Sequence, residues 1–337
     1  MKSKPLHIGI AYNLWERVSD RNSEILSETS VVKEAEDVSR ALQRQGHQVT
    51  LVPLRQSVTG FLDRLKRLGI DVLVNLCEGF RGRPQWESAI AGMLEIEMIP
   101  FTGNPEKALS LCQDKFRTKA VLSAAGLPTP PYALVYDDCQ RTDLPFPLIV
   151  KPNREDASLG IHSDSVVHTS AQLQRQIKKV TTNYCQPALI ETFIEGREFN
   201  VAVWENSEVR ALPVSEIDFT GMPENVPHIC GYEAKWFEDH ILYHQTKPVC
   251  PAPLSETLQK RLQALACDAF RIMGCRDYAR VDFRMGQDEE IFILEVNPNP
   301  DISLDAGFAR ALAAASISYE EFWNGIIRNA MDRKEMA

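Results

Sequence analysis

"EIFILEVNPNPDIS", Glu290 to Ser303, begins as a buried strand and stops abruptly. Ile291, Phe292, Ile293 and Leu294 form an apolar run that Val296 continues, yet Glu295 and Asn297 interrupt its end on alternate positions. Residues two apart on a strand point to the same side. A core strand therefore aims a carboxylate and an amide at one spot, where Pro298 and Pro300 end it. The apolar stretch upstream, "ARVDFRM", connects to it through the tight turn "GQDEE", as in a hairpin. Such a hairpin would set Asp282 against Glu295 and Asn297 on one side of a sheet. Two carboxylates and an amide so placed repel unless a cation joins them. Mg2+ suits the set, with Mn2+ as the alternative, because it takes hard oxygen ligands and completes its shell with water and phosphate oxygens. Singly, each residue has an ordinary explanation as a wet-face or strand-end group. The grouping is what points to a metal.

Lysines supply a matching half. Lys115, Lys151 and Lys235 each fall at a strand or helix edge of an otherwise acidic chain. A triphosphate needs cations distributed around its oxygens, while magnesium bridges the outer phosphates. "REDASLGI", with Ser158 and Gly160, can fold over phosphates and offer backbone N–H groups. No GxxxxGK[ST] occurs, which excludes a Walker-type NTPase at motif level. "LIETFIEGREFNV" completes a nucleotide site: Glu191 is placed to accept from an adenine amino group and Glu198 from ribose hydroxyls. The plain alternative there is a hairpin with two exposed glutamates.

The whole chain bounds these readings. Its 337 residues suggest two or three domains, and 44% apolar with 25% charged residues is the composition of a folded soluble protein. No apolar run is long enough for a membrane span or a signal peptide, so a cytoplasmic protein is expected. A net charge of −9 without a basic stripe argues against nucleic-acid binding. Eight cysteines without CxxC or Cys/His spacing read as buried thiols in a reducing compartment.

The first third alternates strands ("HIGIAYN", "HQVTLVPL", "IDVLVNLCEG", "IPFTG") with helices ("SVVKEAEDVSRALQRQG", "GFLDRLKRLG", "QWESAIAGMLEIE"). This order predicts an α/β, Rossmann-like parallel sheet over residues 1–104. Ligands of such sheets sit beyond the strand carboxyl ends, where Glu78 falls. A single helical segment, "PEKALSLCQDKFRTKAVLSAAG", then opens a central unit, 105–190. It carries the strands "ALVY" and "FPLIVKP" and the helix "SAQLQRQIKKV". The remainder, 191–337, mixes strands with the helix "LSETLQKRLQALACDAFRIMG" in an α+β pattern.

"QDKFRTK", "LIVKPNREDASLG", "LIETFIEGREFNV", "YEAKW", "ARVDF" and "FILEVNPNP" resemble, in order, the motifs of the ATP-grasp superfamily. The closest likeness is to D-alanine–D-alanine ligases and spans nearly the whole chain, to about Phe308. The resemblance implies an ATP-grasp fold behind a Rossmann-like domain. It implies Lys115, Lys151 and Lys235 on the phosphates of ATP, with Ser158 in the covering loop. Glu191 and the backbone of Thr192 and Ile194 would hold adenine, and Glu198 the ribose. Asp282, Glu295 and Asn297 would bind Mg2+, and Arg280 would stabilise developing negative charge. The implied reaction activates a small-molecule carboxylate as an acyl phosphate, which an amine then attacks; the implied assembly is a homodimer through the first domain. Chemistry of this kind rests on charge neutralisation and alignment.

The departures lie at the substrate end. The family opens with a Gly-rich strand end and a Glu-x-Ser that grips an amine; here Glu28-Thr29-Ser30 is the candidate. Glu78 stands where the family usually has histidine. Asp301 and Ala306 stand where it has a glycine and a serine that helps hold the acceptor carboxylate. An added acid and a lost hydroxyl favour a neutral or cationic acceptor over D-alanine. A true D-alanine–D-alanine ligase, an ATP-grasp phosphotransferase and a silent nucleotide-binding protein are the rival readings.

Overall fold

The computed structural model describes residues 4–14, 25–140, 142–223, 225–237 and 239–336, with side chains of 25–30 and 335–336 excepted. The first part comprises β1 (His7–Asn13), α1 (Ile25–Arg44), β2 (Gln48–Leu54), α2 (Val58–Leu68), β3 (Val72–Leu76) and α3 (Glu87–Ile96). Its strands form a parallel sheet in the order β2-β1-β3. β3, buried at every position and apolar except for Asn75, fits a parallel strand covered on both faces. The expected fourth strand around "IPFTG" is reduced to one bridge, Phe101 to Leu73.

The middle part contains α4 (Glu106–Gln113), α5 (Lys115–Ala124), β4 (Tyr132–Val135), β5 (Leu148–Pro152), β6 (Val166–Val167), α6 (Ser170–Asn183) and β7 (Ala188–Thr192). Where one helix was expected, Asp114 splits it: its backbone leaves helical geometry (φ −89, ψ 94), and its carboxylate caps α5 by accepting from Arg117 N–H. The strands pair antiparallel in the order β4-β7-β5-β6. Leu148, Val150, Ala188 and Ile190 alternate onto one face under Leu173, Ile177 and Val180 of α6. The other face carries Ile149, Lys151 and Glu191.

The last part comprises β8 (Arg197–Asn206), β9 (Glu208–Ala211), β10 (Ser215–Asp218), α7 (Tyr232–Trp236), α8 (Ile241–Gln245), β11 (Lys247–Val249), α9 (Glu256–Ile272), β12 (Tyr278–Met285), β13 (Ile291–Asn297), α10 (Gly307–Ala314) and α11 (Tyr319–Met336). The sheet runs β11-β10-β8-β12-β13, and β9 takes the far half of β8. Phe199, Val201, Val281, Phe283, Ile293 and Val296 bury one face against Leu258, Leu262, Ala266 and Phe270 of α9.

The chain closes on itself. Phe322, Trp323 and Ile326 of α11 are wholly buried in one core with Ile8, Ile10 and Val31 of the first part and Trp204 of the last. Burying each such side chain stabilises by about 1.5–3 kcal/mol, so this shared core ties the first part to the last. All eight cysteines are free, and only Cys77, Cys112 and Cys275 are buried, fewer than expected. Among the described residues no helix is long and apolar enough to cross a membrane.

Candidate functional site

Two antiparallel sheets, each covered by a helix on one face, turn their other faces toward a cleft of about 1180 Å3. The carboxyl ends of β1 and β3 close its third side, where Asn13 accepts a hydrogen bond from Glu78 N–H at 2.8 Å.

The floor is the β12–β13 hairpin. Asp282 pairs directly with Glu295, and Arg280 with Asn297. Direct partners in an antiparallel pair share a face. On the other side β8 sets Asn200 opposite Asp282 and Glu198 opposite Arg284. The cleft side therefore presents Glu198, Asn200, Arg280, Asp282, Arg284, Glu295 and Asn297, while the alternate residues form the core. A bulge makes this register possible: Phe283 pairs with Ile293, leaving Leu294 as the extra residue of β13.

Acids and bases on this floor engage one another. Arg280 donates to both oxygens of Asp282 at 2.7 Å, and Arg284 pairs with Glu198 at 3.0 Å. Lys115, at the start of α5, reaches Glu295 at 2.8 Å and Asp156 at 3.1 Å. Burial opposes charge on Lys115, but Glu295 and Asp156 outweigh it and hold the ammonium above its ordinary range. The same contact, again against burial, holds the Glu295 carboxyl well below the usual carboxylate range. Asn153, buried at the end of β5, fixes the start of α5: its carbonyl accepts from Lys115 N–H and its side chain from Phe116 N–H. That junction brings Lys115 and Lys151 to one wall.

Lys151 on β5 pairs with Glu191 of β7 at 2.9 Å, and Lys119 of α5 meets the other Glu191 oxygen at 3.1 Å. Glu191 is only 1% exposed, pairs with two ammonium groups and lines the cleft, so it anchors both lysines. Its charge is secured against burial by Lys119 and then Lys151. Thr192, Ile194 and Glu198 also line the cleft.

The covering loop follows β5 directly and meets Lys115 through Asp156. Ala157 and Ser158 adopt left-handed backbone (φ 55 and 62) and Gly160 follows at φ 75. A Cβ on Gly160 would come within 2.6 Å of Pro152, so only glycine fits. The loop is fastened to α7: Trp236 Nε1 donates to the Ala157 carbonyl at 2.9 Å, and Ser158 Oγ to the Cys230 carbonyl at 3.0 Å. Exposed Lys235 stands over the Trp236 ring and lines the cleft.

At the substrate end, Glu78 and Asp301 line the cleft. Burial, then the neighbouring Asp301, pushes the Glu78 carboxyl up to about 7. Asp301 accepts from the Ser303 backbone N–H and hydroxyl, at 2.9 and 2.6 Å. Glu87, 8% exposed, accepts from Asn299 and so joins the "NPNP" turn to the first part. The side chain of Glu28 lies outside the described residues. Reading the sequence missed Lys119, Asn200 and Arg284. Each repeats the spacing of a residue already noted: Lys119 is one helical turn from Lys115, and Asn200 and Arg284 are two residues from Glu198 and Asp282.

A family model described as the D-ala D-ala ligase C-terminus matches residues 121–328. The chain belongs to the D-alanine–D-alanine ligase family. It is 35% identical over 246 residues to a D-alanine–D-alanine ligase of Cupriavidus metallidurans, covering 72% of this chain and 71% of that one. It is also 34% identical over 300 residues to an uncharacterized protein of Sinorhizobium fredii, covering 87% and 86%. A crystal structure of the D-alanine–D-alanine ligase from Bacillus anthracis complexed with ATP shares the fold, with TM-score 0.73, 20% identity and coverage of 98% and 99%. The fold is therefore ATP-grasp, and this family member is an ADP-forming ligase that makes C–N bonds.

The donor set can also be weighed for a metal. Among the described residues no group of three or more His, Cys, Asp or Glu side chains is placed to hold a metal ion by itself. Two carboxylates and an amide fall short of a zinc cage but fit Mg2+, which takes one or two carboxylates and leaves the rest to water and phosphate.

Proposed function

We propose that this ligase activates a small-molecule carboxylate with ATP and Mg2+ and passes the acyl group to a neutral or cationic amine in place of D-alanine. The observation that carries the reading is the hairpin register that puts Asp282 and Glu295 side by side, facing Lys115, with Lys151 across the cleft. Asp282, Glu295 and Asn297 would hold Mg2+, which when bound neutralises phosphate charge. Lys115, Lys151 and Lys235 would hold the phosphates, and the loop around Ser158 would exclude water from them. Arg280, kept charged against burial by Asp282, stands ready to stabilise an oxyanion. Backbone groups at Thr192 and Ile194 would take the adenine edge, and Glu198 the ribose. Lys115 and Arg280, now paired with Glu295 and Asp282, are the cations that would turn to phosphate oxygens if those carboxylates held Mg2+.

The acceptor reading is supported by charge. Glu78 and Asp301 face the cleft, and the nearby Lys33 is taken up by Asp305 at 2.6 Å. Ala306 heads α10 without a side-chain cap, so no hydroxyl waits there for a carboxylate. Ile96 and Met98, 81% and 73% exposed near the end of α3, support a homodimer through the first part, and the absence of any spanning helix among the described residues is compatible with a cytoplasmic enzyme. The test is phosphate and ADP release with ATP, Mg2+ and D-alanine, alone or paired with uncharged and cationic amines. Stimulation by such amines is expected. Efficient D-alanyl-D-alanine synthesis from D-alanine alone would overturn the acceptor assignment, and a stable phosphorylated product would point to a phosphotransferase.

A further inference from the structure

Lys119 is the most deeply buried cation of the site, at 0% exposure. It lies one turn beyond Lys115 on α5, so both ammonium groups project toward β13. Lys115 goes to the Glu295 carboxylate; Lys119 goes to the backbone immediately before it. Its Nζ donates to the Leu294 carbonyl at 3.1 Å and to Thr129 Oγ1 at 2.9 Å, and contacts Glu191 Oε1 at 3.1 Å. The ammonium thus makes two hydrogen bonds and one ion pair.

Each acceptor belongs to a different piece of the site. Leu294 is the bulge residue, the one position of β13 left out of the pairing with β12 between Asp282 and Phe283. Thr129 in turn donates to the Ile293 carbonyl at 2.9 Å, and Ile293 N–H donates to the Pro128 carbonyl at 2.8 Å, so the outer edge of the bulge is held from both sides. Glu191 belongs to the other sheet and carries Lys151 on its second oxygen. One ammonium thus bridges the bulge that sets the Glu295 register and the carboxylate that orients Lys151. Its burial is expensive: desolvation pulls the Lys119 pKa down to about 8 despite Glu191.

We propose that Lys119 is a positioning residue that fixes the spacing between the phosphate-binding Lys151 and the metal-binding Glu295 by pinning the bulge of β13 to Glu191 of β7. It touches neither nucleotide nor metal. Its effect is therefore on how strongly nucleotide and Mg2+ reinforce each other, because both must be met at once by groups on two separate sheets. A displacement of about 1 Å between such groups is enough to cost on the order of 100-fold in function.

This inference rests on the assignment of Asp282 and Glu295 to Mg2+, and one experiment separates the two. The non-hydrolysable analogue AMPPNP is titrated into the wild-type full chain with and without Mg2+, and into Lys119→Met, Thr129→Val and Asp282→Asn, each also melted without ligand. The expected wild-type result is an affinity raised by Mg2+, with that gain abolished in Asp282→Asn. Lys119→Met, which leaves Glu191 and Lys151 paired one to one, loses at least about tenfold of the gain. Thr129→Val, which folds with a milder change, loses a few-fold, and Mg2+-free affinity stays close to wild type in both. A melting shift in Thr129→Val with an unchanged Mg2+ gain shows a merely structural role and overturns the proposal, whether or not Lys119→Met folds. A wild-type affinity indifferent to Mg2+ overturns the metal assignment and this inference with it.

Discussion

Replacing Glu78 with glutamine should make the protein more stable, and only at higher pH. The Glu78 carboxyl is raised from the usual 4.5 to about 7 by burial, then by Asp301, with Lys235 offsetting part and Asp156 adding to it. Between those two values the folded chain holds a proton that the unfolded chain has released. Stability therefore falls as pH climbs through that window, with no penalty below about 4.5 and the full penalty above about 7. Full expression of such a shift corresponds to about 3 kcal/mol. Glu78 is partly open to the cleft, so solvent screening trims the expected cost to about 1–2 kcal/mol. Glutamine keeps the shape and cannot ionise. Urea unfolding of wild type and Glu78→Gln at pH 5 and pH 8 should show nearly equal midpoints at the lower pH and a higher mutant midpoint at the upper. An equal gap at both values, or a mutant less stable at pH 8, would refute the placement of an uncompensated carboxylate at the substrate end. Such a group costs the fold stability and is expected where a ligand will supply the missing charge.

Three further outcomes follow from the geometry. Asp282→Asn and Glu295→Gln should each lower ATP turnover by more than about 100-fold in a coupled ADP assay, and each should also lower the melting point, because each weakens the pairing of a buried cation, Arg280 or Lys115. Glu191→Gln, which leaves the Lys119 and Lys151 ammonium groups without their shared carboxylate, should cost about 3–5 kcal/mol in denaturant unfolding; a loss under 1 kcal/mol would contradict its anchoring role. Gly160→Ala, forced against Pro152 and the Tyr184 ring at φ 75, should cost about 1–3 kcal/mol locally and raise the nucleotide KM.

Sequence alone determined the family, and it pointed to the hairpin and to the charged residues on its cleft face except Arg284. Strand periodicity is local, so Asp282, Glu295 and Asn297 could be assigned to one face from spacing alone, and the hairpin register agrees. Even the bulge left a trace, since the buried residues of β13 run Ile291, Ile293, then Val296, three apart instead of two. The ordered motifs were equally legible because each is a short contiguous segment.

What tertiary structure decided is which charge meets which. Glu191 was read as a nucleotide acceptor, and only the fold shows that it also pairs with Lys119 and Lys151. Lys119 drew no notice, because a lysine on a helix ordinarily ends in water and nothing in "DKFRTK" says that this one is buried. The last helix packs into the core of the first strands across almost the whole length of the chain. Pairings of this kind join residues far apart in the chain, and their energies depend on burial and distance. Neither quantity exists until the sheets have closed around the cleft.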